Sequence, residues 1–369
     1  MAQGPVRALM VITVRCAKNG ITNSVLNYVS GLDAARVRCD LVALNEPDGR
    51  ARALFERTGG QVFVLGGRNR NPIGYVRSLS KIVRKRKIEV VHAHGNSATL
   101  VAEMLAAKRG GAQVRIAHSH NTTCRMKLAD RLLRGLFYKN CTGAVACSEA
   151  AGNWLFPNRT YELLNNAVRT EQFRFDPQKR AQTRAALNLA AGEFVVLHIG
   201  AFNAQKNQAF LIGAFSETLK RKPGATLLLA GDGENRASCE TLAARLGVER
   251  KVRFLGWRED IPALLSAADA FALPSLHEGL PLTLVEAQCA GLWCLASDRV
   301  TKEAALTPLV TFCPIADEGA FAGSLCGAAD ADRAAASEDA IARLKTAGYD
   351  VLDNTERLMR LYERLSGRA

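Results

Sequence analysis

The chain is 369 residues long, 48% hydrophobic and 23% charged, a composition that excludes collagen-like, coiled-coil and disordered chains. At about 150 residues per domain it allows two domains, each with its own core. The formal charge of +14 is lopsided: residues 1–175 hold 27 Lys and Arg against 11 Asp and Glu, whereas residues 176–369 hold 22 against 24. A basic half beside a near-neutral one points to an anionic substrate, an anionic membrane or nucleic acid. Nucleic acid is not expected, because with 6% aromatic residues no interleaved stacking platform is evident.

In chain order, the first apolar run is 8–14. Arg15 and Lys18 follow it, and it reads as a buried strand, not a secretory leader. Further Val-, Ile- and Leu-rich runs lie at 39–44, 61–65, 90–94, 114–118 and 143–147. Continuous apolar runs of this length suit strands buried on both faces of a parallel sheet. Two basic stretches lie among them. Residues 68–87 carry Arg68, Arg70, Arg77, Lys81, Arg84, Lys85, Arg86 and Lys87; residues 125–139 set Arg125, Lys127, Arg131, Arg134 and Lys139 among Met126, Leu128, Leu132, Leu133, Leu136 and Phe137. A basic amphipathic helix fits an anionic membrane surface and, equally, a solvated helix over an ordinary core.

Around 169–177 aromatic, Asp and Pro residues interrupt the alternation. It resumes with strands at 194–199, 226–230, 252–255, 270–273 and 293–296, helices at 207–220 and 236–246, and a final amphipathic helix at 355–365. Strand–helix alternation repeated twice predicts an α/β fold of two Rossmann-like, doubly wound domains, 1–172 and 173–349, with 350–369 as a closing helix. Ligands of such sheets bind beyond the carboxyl ends of the strands, so two of them facing one another would share a central cleft. The ten cysteines form no Cys-x-x-Cys pair and no zinc-ligand spacing, which fits a reduced, cytoplasmic protein. No stretch approaches the ~18 uncharged apolar residues of a membrane span.

The residues with chemistry follow strands. Pro274-Ser275-Leu276-His277-Glu278-Gly279-Leu280-Pro281 leads into Leu282-Thr283-Leu284-Val285-Glu286-Ala287. Gly279 suits a tight turn and Pro281 a first helical position, and a helix N-terminus offers unpaired N–H groups to a phosphate. Glu278 stands on the loop and Glu286 about two turns into the helix; carboxylates can accept sugar hydroxyls. On its own, a Glu pair reads as solvated acids flanking a helix. Lys206, in Gly200-Ala201-Phe202-Asn203-Ala204-Gln205-Lys206-Asn207, would by itself be a surface charge. His92, His94, His118 and His120, with Asn121, lie at neighbouring strand ends; His92 reads as a packed core residue. Gly231-Asp232-Gly233-Glu234 has Arg236 where a dinucleotide site needs its third glycine. No Asp-x-Asp metal motif and no Walker A sequence is evident.

Taken together, the 274–287 string, Val91-His92-Ala93-His94-Gly95-Asn96, Arg115-Ile116-Ala117-His118-Ser119-His120-Asn121-Thr122, Ala146-Cys147-Ser148-Glu149, Leu164-Asn165-Asn166-Ala167 and Ser297-Asp298-Arg299-Val300-Thr301-Lys302-Glu303 resemble the retaining glycosyltransferases of family 4, and among them the bacterial capsular and exopolysaccharide enzymes. The resemblance implies a GT-B architecture: a nucleotide-sugar donor on the C-terminal domain, an acceptor on the N-terminal one, and a last helix crossing back. It implies no metal and no cofactor beyond the substrate. By the family motif, Glu286 binds the ribose, Glu278 the donor sugar, and Lys206 with the amides of Gly279 and Leu280 the diphosphate. Gly20 belongs to a loop near the diphosphate in which Asn19 replaces the first glycine. His118 lies near the donor sugar, with His94, His120 and Asn121 as sugar or acceptor contacts. Expected partners are a nucleotide sugar, most plainly UDP-linked, and a glycan acceptor on a lipid, at the inner face of the cell membrane. The family usually has Arg where this chain has Ala201, which removes a bidentate phosphate clamp. That departure keeps a non-catalytic sugar-nucleotide-binding subunit in view, alongside an epimerase of the same fold.

Overall fold

The computed structural model describes residues 4–17, 19–190, 192–327 and 332–368. The chain forms two compact units, one running to Ala167 and resumed from Asp350, the other spanning Val168–Tyr349.

The first unit is built on a parallel sheet of β1 (Val6–Ile12), β2 (Val37–Ala43), β3 (Val62–Val64), β4 (Val90–Gly95), β5 (Val114–Ser119), β6 (Gly143–Ala146) and β7 (Glu162–Leu163), in the order β3-β2-β1-β4-β5-β6-β7. Strand β1 shows why it must be central. Ala8, Met10 and Ile12 enter one core cluster and Leu9 and Val11 the other, so both faces are covered, as a period-two side-chain pattern in a parallel sheet requires. One face carries the helices Gly20–Gly31 and Val351–Leu365; the other carries Pro72–Arg86, Val101–Gly110 and Lys127–Asn140. The last helix is held firmly. Thr355 Oγ1 bonds the Tyr28 carbonyl at 3.2 Å, Arg36 pairs with Glu356 and Glu363 at 2.6 and 2.7 Å, and a Cβ on Gly31 would come within 2.9 Å of Thr355 Oγ1. The helix starts at Val351, four residues ahead of the expected start, because Asp350 caps it by accepting from the Leu352 and Asp353 amides.

The second unit repeats the plan with β8 (Val195–Ile199), β9 (Thr226–Ala230), β10 (Val252–Gly256), β11 (Ala270–Leu273), β12 (Trp293–Ser297) and β13 (Val310–Cys313), ordered β10-β9-β8-β11-β12-β13. In both units the order reverses beside the first strand, the switch point at which such sheets open a crevice. Strands β7 and β13 were not foreseen: β7 has only two residues, and Thr311 leaves β13 exposed between half-buried neighbours, so neither forms a continuous apolar run. Arg333 braces this unit from within, donating to the carbonyls of Ala268 at 2.7 Å, Ala290 at 2.8 Å and Leu265 at 3.2 Å; burial lowers its guanidinium to about 10. All ten cysteines are free thiols. Among the described residues no helix is long and apolar enough to cross a membrane.

Candidate functional site

In the second unit the loop after β11 and the loop after β8 are sewn together. The Leu276 amide donates to the Gln205 carbonyl at 2.8 Å, Gln205 Nε2 to the His277 carbonyl at 3.0 Å, and Asn207 Nδ2 to the Pro274 carbonyl at 3.2 Å. This stitching brings Lys206 to Glu278: Nζ lies 2.6 Å from Oε1, with side chains 18% and 12% exposed. Buried Ser275 donates its hydroxyl to the same Oε1 at 3.1 Å. The backbone of Glu278 forms a parallel bridge with Val300, so the loop is held from a second side.

The helix that follows is Leu282–Cys289, with Pro281 as its N-cap and no side chain capping it. Pro281 therefore stands one position earlier than expected, and Glu286 a little over one turn into the helix, not two. The N–H groups of Gly279 and Leu280 donate to nothing among the described residues. Gly279 needs no left-handed backbone; a Cβ there would meet no atom within 4 Å, so glycine leaves this stretch of main chain bare. Uncapped amides, a positive helix end and one ammonium make a site for a diphosphate. Burial pushes the Glu286 carboxyl up to about 8, so it is largely protonated at neutral pH.

His198 lies beneath this loop and was missed. It is fully buried, its Nδ1–H donates to the Ala272 carbonyl at 2.9 Å, and its Nε2 is thereby a bare acceptor with no partner among the described residues. Burial, with Lys206 nearby, lowers its pKa to about 4. A Cβ on Gly200 would lie 3.2 Å from that Nε2 and 3.1 Å from Lys206 Cδ. A His inside a strand run carries no signal of its own. Gly231 and Gly233 have a packing role instead: a Cβ on either would come within 2.0 Å of the Gly200 carbonyl oxygen or 2.4 Å of that of Phe202.

In the first unit, β4 and β5 run in register with His94 opposite His118. The strand period then puts His92, His94, His118 and His120 on one face. Their rings stack: 4.1 Å separates the centroids of His118 and His120, 4.3 Å those of His92 and His94, and 5.2 Å those of His92 and His118. His94 Nδ1 meets His120 Nε2 at 3.0 Å and His92 Nδ1 meets the Tyr362 hydroxyl at 2.7 Å, which makes His92 the packed core residue expected. Desolvation lowers all four pKa values, those of His92 and His120 to about 3, so the stack is neutral. Both nitrogens of His118, Nε2 of His94, Nδ1 of His120, the Ser119 hydroxyl and Asn96 Oδ1 are buried without a partner among the described residues. Orphans of this kind cost about 1–3 kcal/mol each, a cost that a polar ligand would remove. Ring nitrogens of His92, His94 and His118 lie within 4.8 Å of one another; stacked rings point their in-plane lone pairs side by side, and would have to turn to meet one ion.

Two of the expected site residues stand apart from these clusters. Asn121 is exposed and accepts from the Thr122 amide at 2.8 Å; among the described residues no bond joins it to the histidines. Gly20 belongs to a helix start, not to a loop: Asn19, extended at φ −139, caps the helix Gly20–Gly31 by accepting from the Thr22 amide, and Gly20 is its first residue.

The description "Glycosyltransferase Family 4" matches residues 18–172 and "Glycosyl transferases group 1" residues 179–311. EpsF of Bacillus subtilis, named as a glycosyltransferase, is 32% identical over 94% of this chain and 93% of its own. The UDP-Gal:alpha-D-GlcNAc-diphosphoundecaprenol alpha-1,3-galactosyltransferase of Escherichia coli is 29% identical over 60% of each. Anabaena HepE, solved in complex with UDP, shares the fold with a TM-score of 0.79 at 19% identity, covering 97% of this chain and 100% of its own.

Proposed function

The chain belongs to glycosyltransferase family 4, with its GT-B pair of Rossmann-like units, and on that premise we propose that it transfers a sugar from a UDP-sugar, with retention and without a metal, to a glycan on a lipid carrier in polysaccharide synthesis. The observation that carries this reading is the Lys206–Glu278 pair beside an uncapped helix N-terminus. A diphosphate would draw the ammonium, and the carboxylate released from it would accept hydroxyls of the sugar. Lys206 and the amides of Gly279 and Leu280 then offset the charge that builds on the leaving diphosphate. We assign the ribose to Glu286, a place near the diphosphate to the helix start at Gly20, a contact with the donor sugar to His118, and sugar or acceptor contacts to His94, His120 and Asn121. Neutral imidazoles suit this work, since each can give one hydrogen bond and take another. The UDP bound by HepE and the lipid diphosphate substrate named for the Escherichia coli relative support the choice of donor and acceptor. The test is nucleotide release from UDP-, GDP- and ADP-sugars with and without membrane extract. Release from one UDP-sugar, rising with extract, is expected; a chain that binds none of the three classes does not have this function.

Glu286 makes the donor site pH-sensitive. Ribose hydroxyls bind best to the ionised carboxylate, which burial holds back until about pH 8. UDP affinity is expected to rise with pH below that point, by up to about tenfold per unit, and to be flat in Glu286→Gln; titration calorimetry from mildly acidic to mildly basic pH measures it. For stability the sign is opposite. The folded pKa is raised from 4.5, so the contribution of Glu286 is full below that value and is lost as pH climbs through about 8.

Ala201 favours one second reading, a subunit that binds the nucleotide sugar without catalysing. Its side of the loop is exposed, so Ala201→Arg is expected to fold normally and to raise turnover about tenfold or more if the phosphate clamp is weak. A variant that binds UDP more tightly and still releases none would favour the binding subunit.

A further inference from the structure

To meet a diphosphate, Lys206 has to leave Glu278, and its main chain cannot carry it there. The Lys206 amide donates to Asn203 Oδ1 at 3.0 Å. On either side of it, the Gln205 carbonyl and Asn207 Nδ2 are bonded to the loop after β11. Only the side chain can travel, and a flexible four-carbon stem with a rotating ammonium has no aim of its own. Aim matters because Lys206 is the one cation between Gly200 and Asn207.

His198 lies against that stem. Strand β8 pairs with β11 through Leu197 and Phe271, which sets His198 beside Ala272, whose carbonyl takes the Nδ1 proton. The tautomer is thereby fixed, with Nε2 as the acceptor. The point where a Cβ on Gly200 would stand is 3.2 Å from Nε2, 3.1 Å from Lys206 Cδ and 3.2 Å from Lys206 Cε. Stem and imidazole therefore converge on one gap, open because residue 200 has no side chain. Its wall is fixed, since the Gly200 amide donates to the Ala230 carbonyl at 3.0 Å. Nε2 has no partner among the described residues, and a buried acceptor left unpaired costs stability until a donor reaches it. An ammonium has three protons to give, and Glu278 Oε1 takes one. Burial, and to a lesser degree the Lys206 charge, keep the imidazole neutral. A neutral acceptor suits the task, because a carboxylate in its place would cancel the positive charge that the diphosphate needs.

We propose that His198 is a positioning residue: its Nε2 accepts a hydrogen bond from the Lys206 ammonium once Glu278 has released it, and so aims the remaining N–H bonds at the diphosphate. Lys206 thus has two seats, a resting one on the carboxylate and a working one on the imidazole. The proposal rests on the assignment of Lys206 to the diphosphate and adds the group that orients it there. A buried water is the rival partner for Nε2, and it would be indifferent to Lys206.

The test is the nitrogen NMR resonance of His198 Nε2 in the whole chain labelled at histidine, identified by its loss in His198→Leu. An imidazole acceptor that gains a donor moves upfield. In Glu278→Ala, where the ammonium has lost its resting seat, the resonance is expected upfield of its place in the parent with no ligand present, and Lys206→Ala/Glu278→Ala should return it. UDP added to the parent should displace it in the same direction. Kinetics with one UDP-sugar supply the second measurement. His198→Leu, and Gly200→Ala, which fills the gap, are each expected to lose about tenfold in kcat, with UDP affinity within about threefold of the parent's. His198→Gln should recover part of the rate, because its amide oxygen can accept, and His198→Leu should cost nothing more once Lys206 is replaced by Ala. A chain that binds no UDP defeats the functional reading and leaves the Glu278→Ala resonance to decide the working seat. A resonance unmoved both in Glu278→Ala and by bound UDP overturns the proposal, as does a displacement that survives Lys206→Ala. A His198→Leu loss that adds in full to that of Lys206→Ala overturns it too, since it would report loosened packing and not a shared task.

Discussion

Lys206→Ala is expected to lower transfer by about 10²–10³-fold, the usual loss when one preorganised group that stabilises developing negative charge is removed. The effect should fall mainly on kcat, because the charge on the diphosphate grows as the sugar leaves it. Substitution has a second consequence in the same loop. Among the described residues, the Glu278 carboxylate, 12% exposed, then keeps only the Ser275 hydroxyl as partner. It is left partly buried without the cation that offsets its desolvation. Lys206→Arg should recover part of the rate, since the cation survives although the guanidinium cannot match the ammonium's fit. Steady-state kinetics of the three proteins with one UDP-sugar provide the measurement. A Lys206→Ala enzyme within about threefold of the parent kcat would remove Lys206 from the chemistry.

The largest expected loss of stability is at Glu103, in the first unit. This carboxylate is fully buried and receives a two-pronged bond from Arg68, Nε to Oε1 at 2.7 Å and Nη2 to Oε2 at 2.9 Å, while Nη2 also donates to the Thr99 carbonyl at 3.0 Å. Removing one partner leaves the other charge buried and unpaired, at a cost of about 3–5 kcal/mol. Glu103→Ala and Arg68→Met should each lower the melting temperature of the first unit by roughly 6–20 °C. Arg68→Met/Glu103→Leu should lose far less than the sum, because well-packed apolar residues can replace a buried pair almost without cost. Calorimetry on the four proteins gives the coupling. A double variant as unstable as the sum of the singles would mean that packing, not charge, is what Glu103 supplies.

The pair also shows where local pattern stops being informative. Arg68 opens a run of cations and reads as one of them; it stands in a turn, and its partner is 35 residues away on the helix Val101–Gly110. The same limit hid the Lys206–Glu278 contact, the Asp40–Arg86 pair and the neutral state of the histidines. Spacing shows that His94 and His118 end neighbouring strands, but their ionisation depends on how completely the surrounding helices exclude water. The Leu128, Leu132 and Leu136 stripe was visible as an amphipathic period, yet periodicity states only that a helix has an apolar face, never what covers it.

Much could be read directly from the chain. Alternating buried strand runs and helical periods predicted two doubly wound units, because strand burial and helix amphipathicity are set within a few residues of each position. The motif from Pro274 to Glu286 pointed to a phosphate-binding helix start for the same reason: the turn, the uncapped amides and the carboxylate spacing are all local. Tertiary structure alone decided which charges are spent on one another, which histidines lose their charge to burial, that His198 offers a bare nitrogen beneath Lys206, and which apolar face is left to solvent. Those are properties of neighbours brought together from distant parts of the chain, and the energies that govern them, desolvation and Coulomb attraction, depend on that three-dimensional proximity.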